Sequence, residues 1–554
     1  MYQQVYDPVG GSLGLTAIFA VLPLMTLFVL LGGLKWSAHW SALCSLAVAL
    51  VIAIVVYTMP VGQAVDSALL GAVFGLFPIM WIVWNAIWVY NMTEATGHFA
   101  VLRRSFGRIS DDQRVQAVII AFCFGALLEA LAGFGTPVAI TAVMLIALGF
   151  QPIKAAAVAL VANTAPVAFG AIAIPIITLG EITGLPKEDL GAMVGRQTPV
   201  LALIVPLILV GMVDGTRGVR QTWPAAVVGG FVFAIAQFAC SNYVSVELTD
   251  IVASLLATGA IVALLQVWQP SEPIVGGRFK RGPAIAGAAV ADAALEAEVR
   301  RKDDDHRDSR GEIVAAYSPY LIIIAVFAVA QLGPVKTFLE GAGTEFGWPG
   351  LEVTNADGDP VSATTFKLNW LSAAGTLLLI SGLLTMLALK VSPRRALQVY
   401  AKSLNQLKWA TVTVAAVLAL AYVMNLSGQT ITLGLWIAGA GGILAFLSSI
   451  IGWLGVAVTG SDTSSNSLFG ALQVSAAKEA GLDPTLLAAA NSSGGVLGKM
   501  ISPQNLAIGA AAVGLGGREG ELFRRVLGWS IILLLLMCVL VYLQSTPVLS
   551  WMVV

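Results

Sequence analysis

Apolar runs long enough to cross a lipid bilayer recur from one end of this 554-residue chain to the other, and that recurrence limits what it can fold into. A crossing helix needs about 20 predominantly apolar residues, because the hydrocarbon core is roughly 30 Å thick and a helix rises about 1.5 Å per residue. Twelve candidate runs fall at residues 13–33, 40–59, 67–89, 155–180, 200–213, 223–239, 251–268, 313–332, 370–389, 410–424, 486–514 and 526–543. Only 11% of the residues are charged and 58% are hydrophobic, whereas a soluble domain carries about 25% charged residues. Too little polar surface remains to coat a water-soluble body. The sequence therefore predicts an all-α polytopic membrane protein with about 12 transmembrane helices and the lipid bilayer as its partner. A net charge of −1 excludes a basic nucleic-acid binder, and the hydrophobic content excludes a disordered chain. Cys44, Cys123, Cys240 and Cys538 all lie in apolar stretches and read as small buried hydrophobes. No signal peptide is expected, since residues 1–11 contain Asp7 and no Lys or Arg.

Two further apolar stretches, 115–150 and 433–481, are too long for one crossing, and each is interrupted near its centre by a polar or Gly/Pro-rich patch. Both read as re-entrant helical hairpins, whose irregular backbone is tolerated at membrane depth only where protein or a water-filled cavity satisfies it. Charge placement tests the topology independently. Arg103, Arg104, Arg108 and Arg114, then Arg217 and Arg220, the basic residues of 271–312 and 390–408, and Arg518, Arg524 and Arg525 mark cytoplasmic segments. Asp7, the 247–250 turn and the acidic 340–359 loop fall on the opposite side. All agree if both termini are extracytoplasmic, the first hairpin opens from the cytoplasm and the second from outside.

Three spans, a hairpin and two more spans then fill residues 1–213 and recur in opposite orientation in 313–554. Two connecting spans (214–270) and a charged cytoplasmic linker (271–312) separate them. Inverted repeats point to a transporter, although a channel or a membrane enzyme can also contain repeats. The linker holds seventeen charged residues and reads as solvated chain. Trp36, Trp40, Trp88, Trp223, Trp268, Trp370 and Trp409 stand at span ends and read as headgroup-level anchors.

The interruptions carry the chemistry. In the first hairpin Gly133, Phe134, Gly135, Thr136 and Pro137 break the helix, with Thr136 as N-cap and Pro137 as the first helical residue of the second arm. Such a helix N-terminus presents unpaired N–H groups and a partial positive charge to a small anion such as a carboxylate. The second hairpin carries Thr459, Gly460, Ser461, Asp462, Thr463, Ser464, Ser465 and Asn466, eight residues without an apolar side chain. With no obvious helical continuation, this run reads as the lining for a small hydroxylated solute, the alternative being interhelical glue. Each hairpin is followed by a broken span, the first at Asn163, Thr164 and Pro166, the second at Asn491, Ser492, Ser493, Gly494 and Gly495. Four breaks are thus expected to converge on one midplane cavity. Glu129, Asp462 and Lys499 are ionisable groups at membrane depth, where each must pair, protonate or bind a counter-ion. Glu129 is the preferred proton carrier and Asp462 its competitor. Lys499 either neutralises a carboxylate or faces the substrate, and the alternative is a static ion pair with Asp462 or Glu129. His39, His98 and His306 show no metal-ligand spacing, and neither a phosphate loop nor a Ser/His/Asp grouping is present, so no enzyme, metal or organic cofactor is expected.

At these residues the chain resembles the lactate permease family of bacterial lactate and glycolate transporters. The resemblance rests on Tyr6-Asp7-Pro8, Asp112-Gln113-Arg114, the stretches 122–126 and 132–135, Asn163 to Gly170, Gly195-Arg196-Gln197, Gly460 to Asn466 and Gly498 to Gln504. It implies symport of a short 2-hydroxymonocarboxylate, lactate or glycolate, with a proton across the bacterial inner membrane. The implied fold has paired hairpins and an elevator-like movement. A Na⁺-coupled carboxylate transporter is the second reading, since helix breaks can ligate Na⁺ through carbonyls, and a channel or intramembrane enzyme is the third.

Overall fold

The computed structural model describes residues 1–34, 36–107, 109–131, 133, 135–274, 308–330, 332–515 and 518–554. Most of the charged linker, and with it the reading of 271–312 as solvated chain, lies outside the described residues. Among those described, ten helices are long and apolar enough to cross a membrane, or eleven when the bent pair Pro152–Ala162 and Val167–Thr183 counts as one span.

The first spans are α1 (Leu13–Ala20) with α2 (Leu22–Phe28), α3 (Ala38–Val55), and α4 (Val61–Phe74) with α5 (Trp81–Ala95). Phe77 leaves helical geometry in the wide turn between α4 and α5. A short helix, α6 (His98–Gly107), leads to the first hairpin. Its first arm runs from α7 (Gln113–Gln116) through a π segment into α8 (Gly125–Leu131), and its second arm is α9 (Thr136–Ala147). The apolar window of the first arm is buried throughout. Protein, not lipid, surrounds it, as a helix that turns back inside the membrane requires.

The broken span consists of α10 (Pro152–Ala162) and α11 (Gly170–Thr183), bent by 67°. α12 (Lys187–Tyr243) is 57 residues long but leaves helical geometry at Asp214 and Gly215, so it contains the spans read at 200–213 and 223–239. α13 (Thr249–Val267) follows. After the linker come α14 (Arg310–Ala330), α15 (Gly333–Gly341), α16 (Ala374–Ala388) and α17 (Pro393–Ser427). α17 reaches well beyond the 410–424 run because helix-forming Arg and Lys residues extend it into the polar region. The stretch read as a hairpin from residue 433 resolves into two features. α18 (Gln429–Ala438) ends at a glycine-rich turn, and the hairpin proper is α19 (Leu444–Thr459) with α20 (Asp462–Glu479). α21 (Pro484–Gly498), α22 (Pro503–Ala512) and α23 (Glu519–Gln544) complete the chain.

The count differs from twelve for four physical reasons. The first arms of both hairpins are long enough to qualify, α12 holds two crossings, α16 is shorter than a full crossing, and the 486–514 run is split between α21 and α22, each too short to cross. The chain is also not wholly helical. β1 (Tyr2–Gln3) pairs in parallel with β3 (Val353–Thr354), and β2 (Thr344–Gly347) pairs antiparallel with β4 (Thr365–Leu368). The first pairing places the N-terminal residues on the same side as the acidic 340–359 loop, the relation expected from charge. Trp88 is buried rather than at an interface, donating from Nε1 to the Ala396 carbonyl at 3.0 Å. The four cysteines are free thiols, and all but Cys44 are buried.

A fully buried arginine ties the base of the first hairpin to its neighbours. The Arg114 guanidinium donates to Asp112 Oδ2 at 2.7 Å, Asp214 Oδ2 at 3.1 Å, Gln221 Oε1 at 2.6 Å and the Glu272 carbonyl at 2.7 Å. It thereby joins hairpin, α12 kink and linker start. Burial opposes the Asp112 charge, but Arg114 and the amides of Ile274 and Arg114 outweigh it and hold the carboxyl below its ordinary value. A depressed carboxyl stabilises the fold above its unfolded value of about 3.9, and that contribution is lost as pH falls through the folded value. Arg114→Met should cost about 3–5 kcal/mol by leaving Asp112 buried and unpaired. Thermal unfolding in detergent checks this; an unchanged melting temperature would show that the cluster is not structural.

Candidate functional site

The first hairpin turns at Gly133 (φ 53°) and Gly135 (φ 81°), left-handed conformations that favour glycine. Gly135, not Thr136, is the N-cap of α9. Because the glycines complete the turn, Thr136 is already helical and Pro137 takes the second position, where a missing N–H costs nothing. The second hairpin turns at Gly460 (φ 76°) and Ser461. Ser461 Oγ accepts from the Ser464 amide at 3.2 Å, so the polar run does continue as a helix, with Asp462 to Asn466 forming the start of α20. Polar residues suit that place because they satisfy the orphan amides of a helix start.

The broken spans differ from one another. After α10 the chain passes through Asn163 to Phe169 and then holds Ala171, Ile172 and Ala173 at φ 46°, 59° and 58°. Three successive left-handed residues bearing side chains are strained, on the order of 1–3 kcal/mol each. The second break is not at Asn491 to Gly495, which lie inside α21. Those glycines serve close packing: a Cβ on Gly494 would lie 2.6 Å from the Ser449 Cα of α19. The chain instead breaks at Lys499 to Ser502, where Ser502 caps α22 and Pro503 opens it.

A cavity of about 840 Å³ opens between these elements. Glu129, Gly170, Ala171 and Pro175 line one wall, and Thr459 to Ser464, Lys499, Pro503 and Gln504 line the other, with Trp36, His39, Trp409 and Glu519 towards its rim. Lys499 Nζ donates to Glu129 Oε1 at 2.5 Å, both side chains being almost wholly buried. Asn163 Nδ2 donates to Glu129 Oε2 at 3.2 Å. A Cβ on Gly170 would lie 2.7 Å from Glu129 Oε1, so only glycine admits this carboxylate. Ser492 Oγ donates to Asp462 Oδ2 at 2.6 Å, while Asp462 Oδ1 has no hydrogen-bond partner among the described residues. The ion pair expected for Lys499 is thus made with Glu129 and not with Asp462.

Of the residues picked out from the sequence, Glu129, Ser461, Asp462, Thr463, Ser464 and Lys499 meet on the cavity wall. Asn163 and Ser492 stand behind it, each bonded to one of the two carboxylates. Asn491 Nδ2 donates to Asn466 Oδ1 at 2.9 Å, and Asn466 Nδ2 donates to the Pro175 carbonyl at 3.1 Å, so this pair braces α21, α20 and α11. Ser465 and Thr164 hydroxyls donate to the Gly452 and Val161 carbonyls, and Ser493 is fully buried. Gly133, Gly135 and Thr136 are off the lining, and Phe134 lies outside the described residues. The helix starts that do reach the cavity are those of α11, α20 and α22. Gly170, Ala171, Pro175 and Gln504 escaped sequence reasoning; the Ser502-Pro503 helix start was a signal for the last of them.

With this geometry in view, comparison with known proteins is decisive. The sequence model described as L-lactate permease matches residues 16–548. The chain belongs to the L-lactate permease family. It is 41% identical to the glycolate permease GlcA of Escherichia coli K12 over 98% of each chain. It is also 41% identical, over the whole of both chains, to the L-lactate permeases of Bacillus subtilis and of Escherichia coli K12. A solved transporter, Alcanivorax borkumensis YdaH, is similar at a TM-score of 0.40 and 14% identity over 84% of each chain. Membership of the permease family makes the chain a multi-pass membrane protein and not an enzyme.

Proposed function

We propose that this permease takes up lactate, and glycolate with it, by proton symport across a bacterial inner membrane. The observation that carries the reading is the buried Lys499–Glu129 pair on the cavity wall, beside relatives named for lactate and glycolate. A short carboxylate entering the cavity competes with Glu129 for Lys499. Displaced, Glu129 is an unpaired anion at low dielectric, and protonation is the cheapest way to remove that charge. Anion and proton therefore bind together. Hydroxyls of Ser461, Thr463 and Ser464 supply donors and acceptors for the 2-hydroxyl group.

The two halves are read as oppositely inserted copies with both termini extracytoplasmic. Trp36 and His39 follow the first span and Glu519 precedes the last, so the cavity opens towards the side with the basic loops. Under this topology the conformation is inward-facing, and an elevator-like shift of hairpins and broken spans would turn the cavity outward.

Purified permease in proteoliposomes tests the proposal. An inward proton gradient without Na⁺ should drive lactate accumulation, and Glu129→Gln should abolish that accumulation while sparing lactate exchange. Unchanged accumulation by the variant moves the proton to Asp462. A strict Na⁺ requirement selects the second reading, a Na⁺-coupled carboxylate transporter, which the unpartnered Asp462 Oδ1 favours. Uncoupled flux would select a channel.

A further inference from the structure

Charge counting read the 247–250 turn as extracytoplasmic, and in the fold Asp250 of that turn has no exposed surface at all. It sits in the first turn of α13, which packs against α12 and the first arm of the first hairpin. Gln237 Nε2 donates to Asp250 Oδ1 at 2.9 Å and also reaches the Ala165 carbonyl at 3.4 Å. The Thr198 hydroxyl lies 3.2 Å from Gln237 Oε1, which orients the amide so that its NH₂ faces the carboxyl. Asp250 Oδ2 has no hydrogen-bond partner, and no cation pairs with Asp250 among the described residues. The titratable groups around it are Glu129 from α8, Cys240 on α12 and Glu247 in the preceding turn. Glu247 is itself engaged by Lys187 at 2.6 Å and Ser245 at 2.8 Å.

The broken stretch from Asn163 to Ala165 reaches one buried carboxyl directly and the other through Gln237. Ala165 shares the Gln237 amide with Asp250, and Asn163, two residues earlier, donates to Glu129. An ionised Asp250 with one bare oxygen, no cation and another carboxylate nearby is costly at this depth. An O–H on Oδ2 removes that charge and leaves Oδ1 as the acceptor that Gln237 addresses. We propose that Asp250 is a second proton-binding site of the transport cycle, linked to Glu129 through the Asn163–Ala165 break. In the topology given above it lies on the outer side of Glu129, while the cavity opens on the inner side. Each cycle would then form one O–H bond on Asp250 from the outer aqueous phase and break it on the inner side.

This inference rests on proton symport. Each coupled proton multiplies the accumulation ratio by about ten per pH unit imposed. Under a step of one pH unit, Asp250→Asn should lower the lactate accumulation ratio roughly tenfold relative to the unaltered permease, with lactate exchange retained. An unchanged ratio overturns the inference and leaves the proton reading intact. Absence of proton-driven accumulation in the unaltered permease sinks the proton reading itself. Should Asp250→Asn not fold, Gln237→Met decides: it keeps the carboxyl and removes its donor. The pH of half-maximal uptake should shift in that variant at an unchanged exchange rate, and an unshifted profile overturns the inference.

Discussion

Lys499→Gln is expected to abolish concentrative lactate uptake and to weaken lactate binding by roughly thirtyfold to several-thousandfold, the equivalent of about 2–5 kcal/mol for removing one member of a buried charge pair. Lys499 is the cation of the cavity wall, 2.5 Å from Glu129 and between the hairpin and α22. Neutralising it removes the group for which, in the proposed mechanism, a carboxylate substrate and Glu129 compete, and also leaves Glu129 buried without its cation. Loss of uptake alone would therefore not separate chemistry from folding. The double variant Glu129→Gln with Lys499→Gln should recover the melting temperature, because no unpaired charge remains, but not lactate binding. Calorimetric titration of the detergent-purified protein reads both quantities. Lactate affinity that survives Lys499→Gln would remove Lys499 from the substrate site.

The second large effect is structural. Gly452→Ala should prevent accumulation of folded permease, because a Cβ there would lie 2.7 Å from the Asn491 carbonyl carbon of α21. The obstacle is backbone and cannot rotate away, so α19 and α21 must separate. Overpacking costs about 1–3 kcal/mol even where side chains can yield. The displaced helix also carries Ser492, the partner of Asp462, and leads into Lys499. Gly259→Ala is the control. Nothing lies within 4 Å of a Cβ at that position, and exchanging glycine for alanine in a helix interior gains up to about 1 kcal/mol. Size-exclusion profiles and melting temperatures of the two variants should diverge. Equal stability would mean that α19 and α21 do not pack as closely as described.

Polar residues are rare enough in this chain that their positions were legible. Glu129, Asp462 and Lys499 stood out because a charge at membrane depth needs a reason, and all three are buried at the cavity. The glycines at 133, 135 and 460 signalled turns, and they make them. Gly494 and Gly495 misled, since glycine marks close helix packing as readily as a break, and sequence alone does not separate the two uses. Ala171, Ile172 and Ala173 carry no breaking signature; tertiary contacts impose their left-handed backbone where Gly170 meets Glu129. Charge counting used Asp250 only to assign a side of the membrane, and it carries no information on the burial of that carboxyl.

One turn of α22 bears both hairpin tips. A Cβ on Gly460 would lie 2.7 Å from Gln504 Oε1, and one on Gly135 would lie 3.1 Å from Asn505 Oδ1. The inner and outer closures of the proposed carrier thus lean on a common fulcrum, the stretch from Gln504 to Ile508. Under the proposed symport, withdrawing either tip would uncover that fulcrum for the other, interlocking the two closures and guarding against slippage of protons without cargo.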